Sequence, residues 1–166
     1  MNKIKKDFLW YKKNSLSKSA FAVFINPCFH SLVLYRISNF MYRYKLSVIA
    51  KVIWFVNRIF FNIDIDYRAN ISEEVMIVHG LGIVIGHEVV IEKRTKIYQG
   101  VTIGGNNSKT RIIEGKKISQ PIIKSGVTLC PNSVIVGPIV IGENATIGAG
   151  SVITKNINDG QVYYKK

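Results

Sequence analysis

The sequence predicts a mainly β protein with an α-helical start, in which a helical segment (residues 1–62) leads into a coil of short parallel strands (residues 63–166). Three observations carry this. All 13 glycines lie beyond residue 62. An aliphatic residue recurs every six positions through the second part. The first part is rich in Leu, Ile, Phe and Tyr and has no glycine to interrupt a helix.

In the helical part, apolar residues concentrate in 20–26, 29–44 and 46–62. Pro27 stands between the first two, where it can begin a helix but not continue one. The longest apolar stretch, "LSVIAKVIWFVNRIFF" (46–61), is interrupted by Lys51 and Arg58. A spanning helix needs about 20 mostly uncharged residues. Seven positions apart, Lys51 and Arg58 share one helix face, so the stretch reads as an amphipathic helix, buried or membrane-facing. A peripheral contact with the inner face of the membrane through 42–62 is an expectation of this reading.

Charge and cysteine usage bound the setting. Lys and Arg number 23 against 10 acidic residues, a net charge of +13 that favours anionic partners. The basic residues are scattered and match no nucleic-acid motif, which argues against nucleic acid. Cys28 and Cys130 are far apart, and the basic N-terminus "MNKIKKDFLWYKKNSLSK" lacks the apolar core and cleavage site of a secretory signal. A cytoplasmic location is expected. Neither a metal-binding constellation nor a G-x-S-x-G nucleophile motif is present, so no metal is expected.

The β part keeps a strict beat. Ile65, Ile71 and Ile77 are six apart; Ile85, Ile91, Ile97 and Ile103 resume the period after a slip; Ile123, Leu129, Ile135, Ile141, Ile147 and Ile153 continue it after a polar interval, 104–121. Small or β-branched residues precede many beats by two positions, as at Ala69, Val101, Ser133 and Ala145. An aliphatic every sixth residue fills one corner of a three-sided coil, and stacked coils bury those residues in ladders. Thirteen beats with one slip and one insertion set aside a β-sandwich with coincidental spacing.

The slip holds the first candidate for chemistry. From Ile77 to Ile85 the chain uses eight residues where six would serve, and "VHGLG" lies between them. Two extra residues, with Gly80 and Gly82 free to adopt positive φ, can bulge a corner outward and present His79. An imidazole with a pKa of about 6.5 suits a general base at neutral pH; the alternative is a structural histidine. In the interval 104–121, Gly104 and Gly105 allow backbone N–H groups to approach a ligand, while Lys109, Arg111, Lys116 and Lys117 either meet an anion or remain solvated. "GAGS" (148–151) is a second small-residue site, with Lys155 beyond it. His87 is expected to be exposed or at a subunit contact, and His30 to serve helix packing.

The segments "FHSLVLYRISNFMYR", "VMIVHGLGIVIGHEVVIEKRTKIYQGVTIGG" and "VIVGPIVIGENATIGAGSVITKNI" resemble the left-handed parallel β-helix (hexapeptide-repeat) acyltransferases over about residues 25–158. Within that superfamily they resemble the serine acetyltransferase group, and more closely its relatives in exopolysaccharide and capsule clusters, such as the colanic acid acetyltransferases. The resemblance implies a left-handed coil, an exception to the usual crossover hand. It also implies acetyl-CoA as co-substrate and a homotrimer with active sites between adjacent β-helices. His79 would deprotonate the acceptor for direct transfer, with no acyl-enzyme. A backbone N–H at Gly104 or Gly105 would meet the oxyanion, Gly148 and Ala149 would line the coenzyme A slot, and Lys155 would reach a phosphate. Gly80 and Gln120 would contact the acceptor.

Three positions depart from the serine enzymes. Their Asp before the catalytic His reads Val78, their Arg-His pair before a Pro reads Ser119-Gln120 before Pro121, and only Asp7 precedes "FHSLVLYR". A serine zwitterion needs a cation for its carboxylate and an anion for its ammonium. The departures therefore point to a sugar hydroxyl of a cell-surface polysaccharide or its lipid-linked precursor, with Gln120 supplying a hydrogen bond. The alternatives are a serine O-acetyltransferase of cysteine biosynthesis and a non-catalytic β-helix scaffold or membrane-docking protein.

Overall fold

The computed structural model describes residues 2–164 apart from Ser108, Glu114 and the side chain of Lys116. Four helices come first: α1 (Asn2–Asn14), α2 (Ala20–Phe24), α3 (Pro27–Arg43) and α4 (Ser47–Phe61). The three apolar stretches of the sequence become α2, α3 and α4. The fourth helix, α1, lies inside the expected helical segment but outside those stretches: Tyr11 is buried, and the partly buried Ile4 and Phe8 pack beside it. Pro27 opens α3, and the Asn26 side chain caps it by accepting from the N–H groups of Cys28 and Phe29. Asn62, in the left-handed conformation, ends α4.

Five coils follow. The first comprises β1 (Ile63–Ile65), β2 (Asn70–Ile71) and β3 (Met76–Ile77), and the second β4 (Ile83–Ile85), β5 (Val90–Ile91) and β6 (Lys96–Ile97). The third holds β7 (Thr102–Gly104), a hairpin of β8 (Arg111–Ile113) and β9 (Lys116–Ile118), then β10 (Ile122–Ile123) and β11 (Thr128–Leu129). The fourth is β12 (Val134–Val136), β13 (Val140–Ile141) and β14 (Thr146–Ile147); the fifth is β15 (Val152–Ile153), a bridge at Ile157 and β16 (Val162–Tyr163). Strands stack in parallel into three faces: β1-β4-β7-β12-β15 (face 1), β2-β5-β10-β13 (face 2) and β3-β6-β11-β14-β16 (face 3).

The thirteen beat residues form the core. Each is at most 1% exposed, and pairing stacks them in register, as in Ile65, Ile85, Ile103, Ile135 and Ile153 along face 1. The residues two positions earlier, among them Ala69, Val101, Ser133 and Ala145, are buried at the turns. The interval 104–121 is more regular than its polarity suggests. β8 pairs antiparallel with β9, Arg111 opposite Ile118 and Ile112 opposite Lys117, with Gly115 between the strands at a φ of +74°.

The helical segment covers the open edge of the first coil. An uncovered edge of this kind leaves strand N–H and C=O groups unpaired. The Tyr11 hydroxyl donates to the Ile77 carbonyl at 3.2 Å and accepts from the Ile77 N–H at 2.8 Å. The Tyr35 hydroxyl treats Ala69 O and Ile71 N in the same way. Arg36 donates to the carbonyls of Ile71 and Ser72 and pairs with Asp7 at 3.0 Å; Asp7 in turn accepts from the Glu74 N–H. Burial pushes both phenols up, so they remain neutral donors.

Candidate active site

The slip lies at the edge where face 3 turns into face 1. Gly100, Asn132 and Gly150 continue that edge in later coils, each N–H bonded to a carbonyl of the coil before it. The two extra residues swing His79 out to solvent, while Gly80 turns inward. A Cβ on Gly80 would stand 2.5 Å from Ile63 Cδ1 and 3.0 Å from Cys28 Sγ. Its small size thus lets the bulge close against the helical cap. Gly82, with φ +70°, completes the corner, and its N–H donates to the Asn62 carbonyl. His79 lies 6.2 Å, ring centre to ring centre, from Tyr98. Ala149 is exposed further along the same edge. Beside it Gly148 has a packing reason for being small, since a Cβ there would meet Tyr164 Cβ at 2.7 Å.

A second edge, where face 1 turns into face 2, carries most of the other candidates. Gly86 and His87 occupy it in coil two, and Gly104 and Gly105 stand above them in coil three, where the Gly86 N–H donates to the Ile103 carbonyl. Returning from the hairpin, the chain brings Gln120 to the same place. Gly86, His87, Gly105, Asn107, Thr110, Ser119 and Gln120 line a cleft of about 440 Å³. Gln120 is 7% exposed, its Nε2 lies 3.4 Å from His87 Nε2, and its Oε1 is buried without a hydrogen-bond partner. A Cβ on Gly105 would come within 2.8 Å of Gln120 Nε2, whereas one on Gly104 would meet nothing within 4 Å. Lys155 is exposed on this edge in the last coil, with its ammonium over the Tyr163 ring.

One chain therefore separates the candidates into two groups. His79, Gly80, Gly148 and Ala149 share one edge; Gln120, Gly104, Gly105 and Lys155 share another. His87 is exposed, as expected, and it also lines the cleft beside Gln120, a position the spacing of the beats did not single out. The signal for it was register: Gly86 lies one coil, eighteen residues, below Gly104, as Ile85 lies below Ile103. His30 is a packing residue whose ring contacts the Phe24 carbonyl. Lys109, Arg111 and Lys117 are exposed, and the side chain of Lys116 lies outside the described residues. Asp7 is spent on Arg36 and the first coil. Burial pushes the Cys28 thiol up, which leaves it a packing group. Among the described residues, no cluster of three or more His, Cys, Asp or Glu side chains is placed to hold a metal.

Comparison with known proteins bears on what this arrangement is. Residues 120–155 match the family described as bacterial transferase hexapeptide (six repeats). The chain is 33% identical to the serine acetyltransferase of Synechococcus elongatus over 131 residues, which cover 79% of this chain and 51% of that protein. It is 39% identical to the serine acetyltransferase of Buchnera aphidicola subsp. Schizaphis graminum over 134 residues, 78% of this chain and 48% of that one. A solved serine acetyltransferase in complex with CoA superposes with a TM-score of 0.85 at 25% identity, covering 96% of this chain and 64% of its own. The chain thus spans about half the length of the curated relatives it matches. These findings overturn the expected sugar acceptor and its capsular setting. The three substituted positions outweighed the shared motifs in that expectation, yet strong similarity runs to serine acetyltransferases, and the serine alternative fits better. In sequence and in fold, the chain is similar to the serine acetyltransferases, and part of its coil matches the bacterial transferase hexapeptide family.

Proposed function

We propose that the protein is a serine O-acetyltransferase, moving acetyl from acetyl-CoA to the hydroxyl of L-serine. The observation that carries this is the outward bulge that exposes His79, in a chain 33–39% identical to serine acetyltransferases across it. His79 takes the proton of the serine hydroxyl as that oxygen attacks the thioester carbonyl. Backbone N–H groups at Gly104 and Gly105 face the negative charge that develops on the carbonyl oxygen. The intermediate then collapses, the C–S bond breaks, and the imidazolium returns its proton to the coenzyme A sulfur.

In this reading acetyl-CoA is a substrate. The missing side chain of Gly104 leaves open space at the second edge, and Ala149 adds little bulk to the first. Both fit a narrow pantetheine arm, and Lys155 supplies a cation for its phosphates.

The two edges become one site if three chains associate so that the His79 edge of each faces the Gln120 edge of the next. We propose this homotrimer. A head-to-tail contact of two different surfaces closes into a ring under three-fold rotation. With Val78 beside the base and Ser119-Gln120 in the cleft, the site holds serine without the charge pairs noted above, so serine saturation should require high concentration. The test is an acceptor panel with acetyl-CoA followed by mass identification of the product. O-acetylserine as the main product supports the proposal; its absence at saturating L-serine contradicts it.

A further inference from the structure

Helix α4 is mounted with its apolar side outward. It docks on α3 through small and polar groups: Ala50 and Asn57 are its buried residues, with Asn57 donating to the Ser31 carbonyl and Ser38 to the Ala50 carbonyl. The stripe that repeats at helical spacing, Val48, Val52, Phe55 and Ile59, faces solvent, with Val48 79% exposed. Phe60, 76% exposed, and Lys51 flank it, while Arg58 stands over the Trp54 ring and pairs with Asp64 at 3.5 Å. Exposed Phe21 and Phe24 of α2, with Ile25 just after it, add further apolar surface to this half. A patch of this kind on a folded surface marks something that covers it.

Charge selects the occupant. Residues 1–62 carry eleven Lys or Arg and one acid, Asp7, whereas the remaining chain holds twelve basic and nine acidic residues. Ten of the thirteen net positive charges therefore sit on the helical half, with Lys51 and Arg58 on α4 itself and Arg43 and Lys45 just before it. A second copy placed on this face would set two strongly positive halves together. Phe and Val side chains directed outward among Lys and Arg suit a surface that is negative outside and apolar within. At 15 residues α4 is too short to cross a bilayer, and among the described residues no helix is long and apolar enough to do so. It suits a helix lying in the interface, with its apolar face among the acyl chains and its cations at the headgroups.

We propose that α4, with its basic surroundings, docks the protein peripherally on a bilayer bearing anionic phospholipid. This stands independently of the acceptor. The test is flotation of the full chain with vesicles of phosphatidylcholine alone, or of phosphatidylcholine and phosphatidylglycerol in equal parts, at low and high salt, with solution mass measured in parallel. The protein is expected to float with the mixed vesicles, to float less as salt rises, and to stay behind with phosphatidylcholine alone. The double variant Val52→Glu/Phe55→Glu, changed only at exposed positions, should lower partitioning roughly tenfold or more while keeping the melting profile and solution mass. Wild-type protein that stays unbound from mixed vesicles at low salt overturns the proposal, whatever the variant does. A variant that loses solution mass also overturns it, and shows that a second copy covers the face.

Discussion

At the scale of single residues, the bulged corner divides its labour between neighbours. Gly80 is small so that the corner can close on Ile63 and Cys28, and that closure leaves His79 pointing outward. The slip in a six-residue beat was enough to find this histidine, because two extra residues have nowhere to go but out of the coil. The partners of Gln120 were not readable in the same way. Its contact with His87 depends on a hairpin that returns the chain to its starting edge, and no local pattern encodes that return distance. The acceptor was misread for a related reason: Val78, Ser119 and Gln120 record which charges are missing but not what the site still binds. Restoring the family's pair tests this. Ser119→Arg/Gln120→His should lower the KM for L-serine by roughly tenfold or more, the worth of one hydrogen bond to a charged group. Steady-state kinetics at fixed acetyl-CoA would show it, and an unchanged KM would place these positions outside the serine site.

At the scale of elements, two devices hold the fold. The ladders are the first, and they were legible residue by residue: every one of the thirteen beats is buried. Ile97 is fully buried on face 3 between Ile77 and Leu129, so Ile97→Ala should cost about 2–5 kcal/mol in denaturant titration. The helical cap is the second, and its function was not legible. Nothing in the spacing of Tyr11 and Tyr35 says that their hydroxyls pair with Ile77, Ala69 and Ile71, since those contacts span long loops of chain. Tyr11→Phe removes the partner of a buried N–H and C=O at once. It should cost about 1–3 kcal/mol and lower the melting midpoint by several degrees, roughly 2–4 °C per kcal/mol. A melt indistinguishable from wild type would show that the cap is not what stabilises the first coil.

At the scale of the whole molecule, the separation of the two edges is the main consequence of the fold. A three-sided coil places its corners on different sides, so one chain cannot bring His79 and the Gly104 corner together. The proposed trimer can. Gly104→Phe adds bulk on the second edge, where a Cβ would meet nothing within 4 Å, and His79→Ala removes the base on the first. Each variant alone should be inactive. Co-expressed, they should recover about a quarter of wild-type activity, because random assembly pairs an intact edge with an intact edge in that share of contacts. No recovery would mean that each site lies within one chain. The most direct test of the account remains the base itself. Thiol release from acetyl-CoA should be followed with and without L-serine, for wild type and His79→Ala, with a thermal melt of each. Serine-dependent release that falls by about 10²–10⁴-fold in the variant, at an unchanged melt, is the predicted result. Equal release from both proteins, or release that does not depend on serine, would contradict it.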